Sequence, residues 1–239
     1  MVTPLTTQTA QDVNVPIAGG AVLQGTLALP SRCLGLVLFA HGSGSSRFSH
    51  RNRQVAASLR ERGIGTLLFD LLTIDEEAKD RASGQYRFDI ALLSDRLSRV
   101  TAWVESDERL VPLPIGYFGA STGAAAALIA STSHESAVHA IVSRGGRADL
   151  AGPYLHRVRA PTLLVVGSRD DTVLDLNRQA LHQLTSCEAK LAVIPAATHL
   201  FEEPGALEQV SELAGSWLVT HLTPKPSRSL TDTQTSSSP

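Results

Sequence analysis

Three side chains able to share one proton stand just beyond three separate apolar runs of this chain. Gly119-Ala120-Ser121-Thr122-Gly123 follows the strand-like run Leu113-Pro114-Ile115-Gly116-Tyr117-Phe118 and opens an alanine-rich helix pattern, Ala124 to Ala130. G-x-S-x-G between a strand and a helix describes a nucleophile elbow. The turn must be tight enough to lift a serine hydroxyl out of the sheet top. Side chains two residues to either side would strike the neighbouring strand and helix, so both positions call for glycine. Gly167-Ser168-Arg169-Asp170-Asp171-Thr172-Val173 follows a second apolar run, and Pro195-Ala196-Ala197-Thr198-His199-Leu200-Phe201 follows a third. A serine hydroxyl is a weak nucleophile until a base removes its proton, and a histidine base needs a carboxylate to hold its tautomer. Ser121, Asp170 and His199 fill those roles.

Each assignment has a plainer competitor. Ser121 could be an ordinary helix N-cap. Asp171 sits beside Asp170, but Asp170 lies three residues beyond Gly167 and immediately before the turn into Val173. His199 is one of eight histidines, and it alone follows the last predicted strand. A tetrahedral intermediate also needs backbone N–H donors. The residue after the nucleophile, Thr122, supplies one. The loop His41-Gly42-Ser43-Gly44-Ser45-Ser46-Arg47 supplies the second, with Ser43 first choice and Gly44 next; His41 itself reads as a brace for that loop. Phe201, two residues past His199, is a candidate substrate contact. Arg47, Arg51, Arg53, Arg144 and Arg147 gather in the same predicted loops. They bind an anionic substrate, with Arg144 and Arg47 as candidate clamps, or they pair with Asp70, Asp149 and nearby carboxylates and hold loops together. Glu202-Glu203-Pro204-Gly205 reads as the start of the final helix, where acids favour the positive end of the dipole.

The elements that must position these groups can be read in order. Val13 to Ile17 and Ala21 to Leu29 form a hairpin around Gly19-Gly20. Gly35 to Ala40 and Gly65 to Phe69 are short continuous apolar runs, as in strands covered on both faces. Val138 to Ser143, Pro161 to Val166 and Glu188 to Ile194 complete eight strand candidates. Helical spacing marks Asn52 to Arg62, Asp89 to Glu105, Leu174 to Leu184 and Ala206 to His221. Strand and helix patterns in alternation imply an α/β fold, a mostly parallel eight-stranded sheet with helices on both faces. Such sheets carry their sites at the carboxyl ends of the strands, where the candidate residues lie. One domain is expected over 13–222, between a flexible start at 1–12 and a Ser/Thr/Pro-rich disordered tail at 223–239.

Composition narrows the class. The chain has 239 residues, 43% hydrophobic, and a formal net charge of −2, enough for one substantial core and no general attraction to nucleic acid or acidic membranes. Cys33 and Cys187, the only cysteines, make no metal spacing and no disulfide framework. No clustered His, Asp or Glu ligands suggest a metal, and no cofactor is expected. Gly42-x-Gly44 with Asp70 after the next strand is reminiscent of a dinucleotide site, but Ser46 and Arg47 stand where the third glycine is required. Met1 to Gln11 lacks a basic start and an apolar core, and no run approaches a membrane span, so a cytoplasmic protein is expected.

Together these residues resemble the α/β-hydrolase superfamily, and within it the dienelactone hydrolase-like group. The likeness covers roughly Val13 to His221. It rests on the HGSGSSR loop, the GASTG elbow, SRGGR at Ser143 to Arg147, the GSRDDTV turn and ATHLFEEPG. The chain order Ser121, Asp170, His199 matches that superfamily. The resemblance implies nucleophile, acid and base in those positions, and similar sequences occur fused to phosphoribosyltransferase-like domains. Dienelactone hydrolases proper have cysteine at the elbow. Serine here points instead to general ester chemistry on a small-molecule ester, with thioesterase, lactonase, acyltransferase and peptidase variants open on the same three groups. A non-catalytic binding protein of this fold is the other alternative. Only about seventeen residues separate the sixth and seventh strands, the usual place for a lid, so an open, small pocket is expected.

Overall fold

The computed structural model describes residues 10–223. The expected flexible start and tail fall outside them, except that Gln11 and Asp12 already pair in the first strand and Thr223 ends the last helix. The strands are β1 (Gln11–Pro16), β2 (Val22–Ala28), β3 (Leu36–Ala40), β4 (Gly65–Phe69), β5 (Ile115–Ala120), β6 (Val138–Arg144), β7 (Thr162–Gly167) and β8 (Ala189–Ile194). The helices are α1 (His50–Glu61), α2 (Ile74–Ser83), α3 (Ile90–Ser106), α4 (Thr122–Ser131), α5 (Asp171–Gln183) and α6 (Ala206–Leu222). All eight strands join one sheet in the order β1-β2-β4-β3-β5-β6-β7-β8. β1 and β2 form the expected hairpin, β2 runs antiparallel to β4, and β3 to β8 are parallel.

The order places the site before any side chain is considered. From β3 the chain crosses to β4 on one side, and later returns to place β5 on the other. The loops after β3 and β5 therefore diverge at a switch point, where a crevice opens. Those are the HGSG loop and the elbow.

Alternation along the strands divides the core. Leu36, Leu38 and Ala40 face one side of the sheet and Val37 and Phe39 the other, each at most 1% exposed. α1 and α6 cover the Phe39 side through Val55, Leu59, Val210 and Leu218. α3, α4 and α5 cover the other face through residues such as Leu97, Val100, Leu128 and Ala180. Burying a leucine or valine of this kind stabilises by about 1.5–3 kcal/mol.

Two elements went unread in the sequence. α2 has no apolar stripe, and its single buried residue is Asp80; periodicity had nothing to register. Its signal was the capping box, in which Thr73 Oγ1 accepts from Glu76 N while Glu76 accepts from Thr73 N. Between β6 and β7, Ala148–Arg157 forms a 3₁₀ segment kinked at Gly152. It sinks Ala148, Ala151 and Leu155 into the core. The elbow strand also ends later than its apolar run suggested, at Ala120, so Gly119 belongs to the strand.

Tyr117 in β5 lies at 0% exposure. Thr101 spends its hydrogen on Leu97 O at 2.9 Å, so the 2.6 Å contact between Tyr117 and Thr101 hydroxyls has tyrosine as donor. Tyr117→Phe keeps the packing and deletes that bond; it should cost about 1 kcal/mol in urea unfolding. Tyr117→Ala should cost several times more, about 3–5 kcal/mol.

Candidate active site

Ser121 is held in an unusual conformation, φ 49° and ψ −120°, a region that strains any residue with a Cβ. Its neighbours explain how it is kept there. A Cβ on Gly123 would collide with Ala40 O and His41 O, and one on Gly119 would collide with the Ala124 backbone. Both glycines are needed because α4 turns back directly over β5 and the end of β3. Ser121 N donates to Arg144 O at 3.3 Å, and Ser121 O accepts from Arg147 N at 3.0 Å, so both backbone groups are spent on the β6 end. Although Ser121 occupies the N-cap position of α4, its hydroxyl makes no capping bond. The N-cap explanation fails, and the hydroxyl is left for other work.

His199 Nδ1 donates to Asp170 Oδ2 at 2.6 Å. That bond fixes the proton on Nδ1 and makes Nε2 the acceptor nitrogen. Asp171, the neighbour weighed against Asp170, is exposed and begins α5. The two loops interlock through backbone. Arg169 N donates to Ala197 O at 2.9 Å, and Ala196 N donates to Ser168 Oγ at 2.8 Å. A Cβ on Gly167 would collide with Ala197 O. Ala196 and Phe201 carry φ of 59° and 56°, so His199 lies between two strained positions. A Cβ on Gly145 would sit 3.1 Å from His199 O and 3.5 Å from its Nδ1. Because Arg144, the residue before Gly145, holds Ser121 N, the elbow and the histidine loop meet across the end of β6.

The loop after β3 crosses the elbow: a Cβ on Gly42 would stand 3.0 Å from Ser121 Cβ. His41 is the expected brace. Its Nδ1–H donates to Gly42 O at 3.0 Å, and its Nε2 accepts from Leu71 N at 3.0 Å. Ser43 N–H, first choice for an oxyanion donor, donates to Thr122 Oγ1 at 3.0 Å. Gly44 is exposed in a turn closed by Ser45 N to Gly42 O at 3.2 Å, with φ 69°.

The two arginines proposed as clamps part company. Arg47 pairs with Asp70 and bonds Gln24 at 2.9 Å, and its N–H also donates to Asp70 at 2.7 Å; it ties the β3 loop to β4. Arg51 pairs with Glu202 and Arg147 with Asp149. Arg144 is 7% exposed and pairs with no carboxylate among the described residues. Its guanidinium makes a long 3.5 Å bond to Asn52 Oδ1 and lies 5.9 Å from the Phe201 ring centre, while its Nε has no partner. Burial, and then the neighbouring charge of Arg51, bring its pKa down to about 10, so it remains a cation at neutral pH.

Phe201 departs from the open substrate contact expected of it. It is 1% exposed and packed in the core beneath the site, so it anchors the histidine loop and offers a substrate almost no surface. A groove of about 290 Å³ between α1 and the start of α6 does touch it. Glu203 does not cap the final helix, which begins at Ala206. It accepts from Thr198 N at 3.0 Å, bracing the residue before His199. Arg87 was missed altogether. Asp80 takes its Nε at 2.5 Å, and its Nη1 comes within 3.6 Å of where a Gly44 Cβ would be. No local pattern marks that approach.

A dienelactone hydrolase structure from Anabaena variabilis superposes with a TM-score of 0.88 at 48% identity, covering 90% of this chain and 99% of that one. The chain belongs to the dienelactone hydrolase family. Est1E from Butyrivibrio proteoclasticus, at 17% identity and a TM-score of 0.73, covers 88% of this chain and 98% of its own, and shares the fold. A Mycobacterium tuberculosis protein provisionally named a phosphoribosyl transferase is 53% identical over 212 residues, 89% of this chain. The chain spans about half the length, 46%, of that curated relative. No family model matches the sequence.

In this member of the dienelactone hydrolase family, a cavity of about 630 Å³ opens beside the β3 loop, lined by His41, Phe48, Leu72, Ile74 and Glu77 among others. A groove of about 730 Å³ lies at the opposite ends of the strands, around Leu113, Ser136 and Pro161, away from every candidate residue. Among the described residues no helix is long and apolar enough to cross a membrane.

Burial holds the His41 imidazole below its ordinary value of 6.5, against the pull of its bond to Gly42 and of Asp70 and Glu77. The native state therefore binds fewer protons than the unfolded chain as pH drops below about 6.5. Its contribution is complete above that pH and is lost as pH falls through the lowered value. Thermal midpoints should decline more between pH 7 and pH 5 in the parent than in His41→Gln, which has no proton to gain. Parallel declines would show that His41 does not titrate with unfolding.

Proposed function

We propose that this protein is a serine hydrolase that cleaves small carboxylic esters through an acyl-enzyme. The observations that carry this reading are the 2.6 Å His199–Asp170 bond and a strained elbow serine whose hydroxyl caps nothing, its backbone tied to the end of β6 that the histidine loop also abuts. Ser121 Oγ attacks the ester carbonyl as His199 Nε2 takes its proton. The Asp170 carboxylate stabilises the resulting imidazolium without taking the proton itself. The Thr122 N–H, at the first helical position and with no intrahelical partner, faces the developing oxyanion. The imidazolium then protonates the departing alkoxide, and water repeats the sequence on the acyl-enzyme. The cavity beside the β3 loop, with Phe48, Leu72 and Ile74 in its wall, suits a short apolar or aromatic group on the ester. The β6–β7 connection is packed into the core, which supports an open site over a lidded one.

Ser121→Ala should lower kcat on p-nitrophenyl acetate by at least about ten-thousand-fold and abolish fluorophosphonate labelling. A variant keeping half the parent rate would remove Ser121 from the chemistry. Comparing thioesters and lactones with esters in the parent then fixes the leaving-group class.

A second feature favours an anionic ester. A buried guanidinium without a counter-charge is costly, and Arg144 alone among the arginines of these loops singled out as clamps is in that state. Arg144→Ala should reduce kcat/KM for a carboxylated ester about ten- to a hundredfold, with little change for its neutral counterpart. Equal losses on both would show that Arg144 only supports the Phe201 loop.

A further inference from the structure

Thr122 enters the reading above through its backbone alone, yet its side chain is the more unusual part. It is 4% exposed, and its Oγ1 already accepts the Ser43 N–H at 3.0 Å. That N–H is the donor a loop in this position would otherwise turn toward the oxyanion. The threonine's own hydrogen finds no acceptor among the described residues. Several other hydroxyls among the described residues dispose of theirs on backbone carbonyls three or four residues earlier. Ser131 donates to Leu128 O at 2.7 Å, Ser211 to Leu207 O at 2.9 Å, and Thr223 to Val219 O at 2.7 Å. Thr122 cannot do so, because it is the first residue of α4 and no helical turn precedes it. A buried hydroxyl that accepts one bond and leaves its donor unspent is out of balance in the resting protein.

The surroundings say where the balance is restored. The adjacent residue is Ser121, and the loop that donates to Thr122 passes over Ser121 at van der Waals distance, as the Gly42 contact shows. A hydroxyl that accepts from an N–H is polarised into a better donor. We propose that the Thr122 hydroxyl is itself an oxyanion donor, and that Ser43 N–H acts through it. This deepens the hydrolase reading and rests on it. As the Ser121 Oγ–carbon bond forms, the carbonyl π pair moves onto oxygen and the serine proton goes to His199. The new oxyanion is met by two hydrogens of one residue, Thr122 N–H and Thr122 O–H. The Ser43 N–H remains on Oγ1, so the second contact requires no loop movement. Thr122 in this role is a catalytic residue and Ser43 a positioning one.

Three variants of the full chain test this, with kcat and KM measured on p-nitrophenyl acetate, inhibition constants for a boronic acid, and thermal midpoints for each. Thr122→Val keeps the shape and deletes the hydroxyl; Thr122→Ser keeps the hydroxyl and deletes the methyl. Thr122→Ala stands in for the valine should that variant fail to fold. The expected pattern is a kcat about a hundredfold lower in Val or Ala, by the usual effect of one oxyanion donor. KM should stay close to the parent, and boronate affinity should weaken in parallel with kcat. Ser should recover most of the rate. A folded Val or Ala variant with parent-like or faster turnover overturns the proposal, since Ser43 N–H, released from Oγ1, would then be the donor. A Ser variant as slow as Val or Ala overturns it too, by assigning the loss to packing. Failure of the hydrolase reading looks different: the parent itself would show no turnover above Ser121→Ala and no fluorophosphonate labelling.

Discussion

Backbone packed against backbone at the elbow is the constraint from which the site descends. Gly119 and Gly123 let α4 fold back over β5 with no side chain between them, and Gly123 meets the carbonyls of Ala40 and His41 directly. That approach forces Ser121 to φ 49°, a strain of order 1–3 kcal/mol. Two hydrogen bonds from the end of β6 hold it there. The serine is presented because nothing larger than hydrogen fits at either side of it.

Asp170 and His199 are then hung from the same edge by equally close contacts. Gly145 abuts His199, and Gly167 abuts Ala197. Glycine thus serves in these loops chiefly as an absence of Cβ, bringing strand ends near enough for side chains to meet. The histidine loop is stiffened from below by Phe201 in the core and from the side by Glu203 on Thr198 N. A histidine with a 39% exposed side chain is thereby kept in one orientation.

Charge at this edge is arranged in cross-loop pairs. Arg47–Asp70 joins the β3 and β4 loops, Arg51–Glu202 joins α1 to the histidine loop, and Arg87–Asp80 secures the turn after α2. Of these only Arg51–Glu202 is substantially exposed, and a pair of that kind contributes little; the effect of all three is to fix relative loop positions. Arg144 differs from them because the sheet has carried it inward, onto the α1 and α6 face, where Asn52 and Phe201 are its neighbours and carboxylates are not.

Much of this was legible in the residues, for a physical reason. The elbow, the glycine-rich loop after β3 and the positions of Asp170 and His199 are local consequences of chain geometry. Turns that tight accept few residue types, and parallel strands deliver their successors to one edge, so pattern and order were informative. α2 was hidden because a helix lying on the surface with one buried residue has no periodicity to show. Which arginine would lack a partner, that Phe201 would be buried, and that Ser43 N–H would meet the Thr122 hydroxyl all depend on side-chain direction and on loops distant in sequence crossing in space. Those matters belong to the tertiary structure, since residues 79 apart have no means of announcing a 3.0 Å contact in the linear order.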